Sequence, residues 1–157
     1  MPEQTPTTDN TIPAFSLQKL YIKDISFENP NAPAVFTIPH DQPKIEMNLG
    51  VNHQQIDEDH WEVTLKISII TRNSDGEKLL FEVEVEHAAI FYLKNIDPEH
   101  MPLLLAVDAP TIIFPYTRQI ISQLTIDGGF MPLLLEPINF RAAYESSQTQ
   151  PDGAALH

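Results

Sequence analysis

The chain has 157 residues, a length that favours one domain with tails. It carries 22 acidic and 9 basic residues, so its formal charge is -13, which argues against nucleic acid because phosphate binding needs clustered Lys and Arg. The sequence has no cysteine, which excludes disulfides, Cys-based zinc sites and thiol nucleophiles. The absence of cysteine also fits a reducing cytosol, so we expect a cytoplasmic protein. No signal-peptide pattern and no apolar run of membrane-spanning length occurs.

Three segments are predicted from composition. Residues 1–13 are rich in Thr, Pro and Asn, and we expect a disordered N-terminal tail because so few apolar groups cannot offset the entropy of ordering. Residues 14–146 form the domain, and residues 147–157 form a flexible C-terminal tail.

Apolar residues alternate along segments that predict strands at 14–28, 44–52, 61–71 and 78–90. In the first strand the alternation slips after Leu17 and again after Ile22, which predicts a β-bulge at each slip. Residues 29–43 contain several prolines and are predicted to be a connection without regular structure. Strands with one apolar and one polar face indicate an antiparallel sheet covered on one side.

The polar face of the fourth strand carries Glu82, Glu84 and Glu86 in succession. Such a row repels itself unless a basic group meets it. It is either a solvated face that opposes aggregation or a docking surface for a basic partner, and charge alone leaves both readings open.

A helix is predicted over residues 108–126, with Asp108 as its cap. Pro115 implies that the helix either begins there or kinks there. Its apolar face is formed by Ile113, Tyr116, Ile120 and Leu124. Gly128-Gly129 ends the helix, an extended proline-containing run follows over 130–137, and Asn139 caps a short helix over 140–146.

Catalytic signatures are absent from the sequence. The six histidines show no paired-ligand spacing, and there is neither a G-x-S-x-G nucleophile motif nor a glycine loop that opens a helix to cradle phosphate. We therefore predict a binding or assembly protein that is not an enzyme and uses no metal and no cofactor.

Several motifs together closely resemble the SecB family of bacterial protein-export chaperones. The resemblance covers residues 15–144 and depends on motifs in the family's order: Tyr21-Ile22-Lys23-Asp24-Ile25-Ser26-Phe27-Glu28, Pro30-Asn31-Ala32-Pro33, Ile90-Phe91, Phe114-Pro115-Tyr116-Thr117-Arg118, Gly128-Gly129-Phe130 and Pro137-Ile138-Asn139-Phe140.

The resemblance implies an α+β fold, in which a four-stranded antiparallel sheet packs on one long and one short C-terminal helix. It also implies a homotetramer, a dimer of dimers with the long helices between the sheets. Such a chaperone binds unfolded presecretory proteins without ATP, keeps them translocation-competent and delivers them to SecA, the motor of the Sec translocon, without inserting into the membrane.

Site residues follow from the resemblance by matched position. The client-binding groove is expected at Ile45, Met47, Leu49, Phe130 and Tyr144. The SecA-binding surface is expected at Asp24, Glu28, Glu82 and Glu84. The oligomer interface is expected at Ile113, Tyr116, Ile120 and Leu124.

Two other readings stay open at this point. One is a SecB-like chaperone dedicated to a specific client such as an antitoxin, which Asp41 before Gln42-Pro43 and a C-terminal tail with few acids slightly favour. The other is a small enzyme on the same fold.

Overall fold

The computed structural model describes residues 12–39 and 41–149. Four strands, β1 (Ala14–Glu28), β2 (Lys44–Gln55), β3 (His60–Arg72) and β4 (Leu79–Lys94), form an antiparallel sheet in the order β1-β4-β3-β2. The helical elements are α1 (Met101–Leu103), a π-helical turn (Leu104–Asp108), α2 (Ala109–Asp127) and α3 (Phe140–Thr149). The predicted α+β class and antiparallel sheet are confirmed.

The two predicted tails lie mostly outside the described residues. Residues 12 and 13 precede β1, and α3 continues three residues past the predicted domain boundary, to Thr149.

Both predicted bulges in β1 are present. The register between β1 and β4 shifts between Leu17 and Lys19 and again between Ile22 and Asp24. Each shift returns the next apolar side chain to the face that the helices cover, which is why the alternation in the sequence slips at these points.

One face of the sheet forms the core with α2. Val63, Leu65 and Ile67 of β3 and Val85 of β4 are fully buried there, and Ile113 of α2 belongs to the same cluster. The other face carries the charged side chains of β3 and β4, as the alternation predicts.

The helix begins earlier than predicted. Asp108 is not its cap: it has helical backbone angles and makes no side-chain capping bond, because the chain is already helical from Met101. The preceding turn is closed by Asp97, whose carboxylate accepts a hydrogen bond from the Glu99 amide at 3.0 Å. The π-helical turn joins α1 to α2, so the three pieces form one helical run.

Pro115 lies inside α2, which continues on both sides of it. A proline at this position removes the amide that would bond the carbonyl of Thr111. Both Pro115 and Thr111 are exposed, so water can satisfy that carbonyl. The helix tolerates this proline because the lost hydrogen bond is on its outer side.

The strap, defined here as residues 130–139, leads from α2 to α3. Gly129 has φ +91°, so it turns the chain at the end of α2 where other residues would be strained. Two hydrogen bonds to Thr125 then fix the strap. The Thr125 carbonyl accepts one from the Phe130 amide at 2.9 Å, and the Thr125 hydroxyl accepts the other from the Leu133 amide at 3.0 Å. As predicted, Asn139 caps α3 by accepting from the Ala142 amide at 3.0 Å.

The crossover over residues 29–43 was predicted to lack regular structure, but it contains a short 3₁₀ helix, Ala34–Thr37. Val35 is fully buried against Leu80 and Phe81. The Asn31 side-chain amide also donates to the Leu79 carbonyl at 2.9 Å. The crossover is therefore fixed over the start of β4.

Candidate functional site

The strap cavity lies between the sheet and the strap and has a volume of about 290 Å³. It contains two of the predicted groove residues, Ile45 of β2 and Phe130 of the strap. Its remaining lining is mostly apolar: Pro43, Thr71, Leu80, Phe81, Met131, Pro132 and Leu133.

The α3 cavity lies farther along β2 and has a volume of about 320 Å³. Leu49 and Val51 of β2 face Phe140 and Tyr144 of α3 across it. Met47 lies on β2 between Ile45 and Leu49 and is 41% exposed. Residues two apart on a strand share a face, so Ile45, Met47 and Leu49 form one line between the two cavities. Phe130 lines the strap cavity at one end and Tyr144 lines the α3 cavity at the other.

Two further exposed apolar residues lie beside this line and were not predicted from the sequence. Phe36 of the 3₁₀ helix is 45% exposed, and its ring lies 5.4 Å from that of Phe130. Met131 is 86% exposed at the mouth of the strap cavity. The only signal for Phe36 in the sequence is an apolar pair, Val35-Phe36, inside a proline-rich connection.

The edge of the sheet beside this line is β2, which pairs with β3 without a register shift from Lys44 to Gln55. A regular, unbulged edge presents its backbone amides and carbonyls to an extended chain. Apolar side chains and an open strand edge thus lie next to each other along β2.

The acidic face, defined as Asp24, Glu28, Glu82, Glu84 and Glu86, lies on the opposite side of the sheet. The sheet register brings together all the acids predicted from the resemblance: Glu28 pairs with Glu82, Asp24 with Glu86, and Ser26 with Glu84. Like charges directly opposite each other on neighbouring strands destabilise a sheet. A small depression of about 160 Å³ lies among Glu28, Glu82 and Glu84.

A lysine partly neutralises this face. Lys66 of β3 contacts Glu84 with 2.9 Å between Nζ and Oε1. The hydrogen bond and charge of Glu84 raise the pKa of Lys66. Even with this pair, carboxylates outnumber amines at this end of the sheet, so the face attracts cationic groups.

Beside the acidic face, Tyr21 and Lys23 of β1 reach across β4 to Glu62 of β3. The Tyr21 hydroxyl donates to one Glu62 oxygen, and Lys23 contacts the other at 3.2 Å. Burial, reinforced by the bond to Glu62, raises the pKa of Tyr21 to about 12, and the Tyr21 hydrogen bond is the main cause of the lowered pKa of Glu62. These contacts tie β1 to β3 on the polar side.

The predicted interface residues of α2 do not share one environment. Ile113 is fully buried in the core, whereas Tyr116 is 48% exposed. Ile120 and Leu124 are partly buried against the core. The large apolar side chains that α2 exposes, apart from Pro115, are Ile112, Tyr116 and Ile126, and we call these three the outer stripe.

Among residues 12–39 and 41–149, no three His, Asp or Glu side chains are grouped so that they could hold a metal ion. Within the same residues, no helix combines the length and apolar character needed to cross a membrane.

Comparison with known proteins identifies the family. The model of the preprotein translocase subunit SecB family matches residues 8–151. The chain is similar to two proteins named protein-export protein SecB. The one from Desulfotalea psychrophila is 52% identical over 88% of this chain and 88% of that protein. The one from Magnetococcus marinus is 45% identical over 88% of this chain and 87% of that protein.

A solved structure has the same fold. It is a SecB-like chaperone of Mycobacterium tuberculosis in complex with a ChAD peptide from the HigA1 antitoxin. It is 15% identical, has a TM-score of 0.64 and covers 79% of this chain and 90% of that one. The family model covers most of the chain and these relatives are 45% identical or more, so the chain belongs to the SecB family of protein-export proteins.

Proposed function

We propose that this chain is an ATP-independent export chaperone that binds unfolded precursor proteins, keeps them translocation-competent and delivers them to SecA. The observation that carries the proposal is the continuous apolar line from Ile45 through Met47 to Leu49, with a cavity at each end. Such a surface binds unfolded chains through apolar area and strand pairing, neither of which requires a particular sequence.

The acidic face supplies the second half of the proposal. It lies on the side of the sheet opposite the groove, so a chaperone that holds a client can still present it. SecA would dock there through basic groups that meet Asp24, Glu28, Glu82 and Glu84. The relatives that share 40–52% identity are protein-export proteins, which supports export over a dedicated client.

The outer stripe of α2 supports assembly as a dimer of dimers. Its three large apolar side chains are between 36% and 48% exposed, and a second copy would bury them in a symmetric contact. We assign the interface to Tyr116 with Ile112 and Ile126. Ile113 supports this helix from within the core, and Ile120 and Leu124 lie at the border.

Refolding of a denatured precursor tests the holding function. We expect the chain to slow refolding without nucleotide, and Met47→Glu to weaken precursor binding about tenfold, because the client would then bury a charge. Met47 is 41% exposed, so the substitution leaves the fold intact. Asn52→Glu is the matched control, since it adds the same charge to β2 on the opposite, polar face.

Equal precursor binding by both variants would contradict the assignment of the groove. A pull-down that recovers one client and no SecA would instead identify the chain as a dedicated chaperone.

A further inference from the structure

The exposed sulfur atoms of this chain lie beside the client groove. The sequence has four methionines and no cysteine. Met47 belongs to the apolar line of β2 and is 41% exposed, and Met131 lies at the mouth of the strap cavity and is 86% exposed. Met101 of α1 packs against the core, and Met1 lies outside the described residues. The two exposed methionines among the described residues therefore both border the proposed path of the client.

The absence of cysteine makes these thioethers the sulfur groups that an oxidant meets. A thiolate would react ahead of a thioether, and this chain has none. Oxidation of methionine follows exposure, so Met131 should react first, then Met47, and the half-buried Met101 last. With hydrogen peroxide, the sulfur lone pair attacks one peroxide oxygen, the O–O bond breaks, a sulfur–oxygen bond forms and water leaves. Sulfur loses two electrons in this step and the peroxide gains them.

The sulfoxide at Met131 would act on binding and not on the fold. Oxidation converts a flexible apolar side chain into a polar one. In the free chain the side chain of Met131 is exposed, so its sulfoxide keeps its hydration and the core is unchanged. A client that enters the strap cavity past Met131 would have to remove this hydration or give up the contact, and both outcomes weaken binding.

We propose that Met131 is an oxidation site, at which a hydroperoxide lowers the affinity of the groove for unfolded clients. Met47, on the same path, is the second site. The change is reversible in chemical terms, because a methionine sulfoxide reductase removes the oxygen as water while a dithiol is oxidised to a disulfide. This inference rests on the proposed client-binding function.

The test treats the full chain with hydrogen peroxide and locates each added oxygen by mass spectrometry of its peptides. We expect Met131 to gain an oxygen first, and a bound unfolded precursor to slow that gain because it covers the side chain. Affinity for the precursor should fall about threefold to tenfold after treatment, since a polar group then opposes an apolar contact. Methionine sulfoxide reductases for both sulfoxide epimers should restore the affinity, and the melting temperature should stay as in the untreated chain.

Three variants assign the effect to one sulfur. Met131→Leu has a similar apolar volume and no sulfur, so it should bind like wild type before treatment and keep most of its affinity afterwards. Met131→Gln is polar at similar length and should bind weakly without treatment. Met101→Leu is the matched control, because it makes the same change away from the strap cavity and should lose affinity on oxidation as wild type does.

Unchanged affinity in a wild-type chain that carries the sulfoxide at Met131 would overturn the proposal. An equal loss in Met131→Leu would overturn it as well, because another residue would then cause the loss, and so would oxidation of Met131 at the same rate with and without precursor. If the untreated chain slows precursor refolding and the oxidised chain slows it equally, the oxidation site alone is wrong. If the untreated chain neither slows refolding nor binds the precursor, the client-binding function is wrong too.

Discussion

Glu84 stands at the centre of the acidic face. Its neighbours in register are Ser26 on β1 and Ser68 on β3, and its carboxylate contacts Lys66 at 2.9 Å. The serines are short, so the carboxylate remains accessible from the solvent side. A single exposed pair with lysine contributes little stability, which leaves Glu84 available to a stronger cationic partner.

Reversing this charge should weaken SecA binding. Glu84→Lys places a cation beside Lys66 and inside the acidic face, and we expect affinity to fall on the order of tenfold at low salt, with a smaller loss at moderate salt because ions screen the contact. The measurement is a titration of SecA at two salt concentrations. Glu99→Lys, which makes the same change in an exposed turn after β4, should bind like wild type. If Glu84→Lys binds SecA as tightly as the wild-type chain does at both salt concentrations, the assignment of SecA to this face is wrong.

At the scale of elements, one buried contact joins the sheet to α2. His87 of β4 is 3% exposed, and its Nδ1 lies 2.8 Å from the hydroxyl of Thr117 on α2. That hydroxyl also lies 3.4 Å from the Ile113 carbonyl, and the direction of its bond with Nδ1 is set by the imidazole tautomer. Burial lowers the pKa of His87, because the charged imidazolium loses its hydration there.

The lowered pKa fixes the sign of a pH effect on stability. The stability that depends on neutral His87 is fully present above the ordinary histidine pKa of about 6.5 and is lost as the pH falls below that value. The reason is that the unfolded chain then binds a proton at His87 that the folded chain does not bind as readily. We expect the free energy of unfolding in denaturant to fall between pH 7.5 and pH 5.5, and His87→Gln to remove part of this fall. Replacement of the exposed His100 by glutamine is the control and should leave the pH dependence as in wild type. An identical fall in wild type and His87→Gln would show that other groups cause it.

Alternation along the strands was sufficient to predict the sheet, including both bulges of β1, because each strand has one face in the core. The buried face of α2 was harder to predict, for a physical reason. Thr117 and Thr125 are fully buried and bond to carbonyls of their own helix, whereas Tyr116 and Ile112 are exposed. The predicted apolar face therefore combines Ile113, which lies in the core, with the exposed Tyr116, and it omits the two buried hydroxyls.

The groove was predicted only in part for a similar reason. Ile45, Met47 and Leu49 follow from alternation and resemblance, but Phe36 lies in a segment whose prolines indicate a connection. Its place at the groove depends on Phe130, 94 residues later in the chain, and the aromatic contact between them exists only after the strap has folded back. Periodicity describes local structure and cannot bring such distant segments together.

At the scale of the whole molecule, substitutions on the two sides of α2 test the proposed assembly separately from folding. Tyr116→Glu places a charge in the outer stripe, where one copy would otherwise bury an aromatic ring against another, and we expect the tetramer to dissociate to dimers with unchanged helix content. Ile113→Ala removes a fully buried side chain, so it should lower the free energy of unfolding by about 2–4 kcal/mol while the assembly persists at concentrations where the chain is folded. Light scattering gives the mass of each variant, and denaturant unfolding gives its stability. A Tyr116→Glu chain that keeps the wild-type mass would show that the copies meet elsewhere, and the open edge of β1, with its two bulges, would then be the next surface to test.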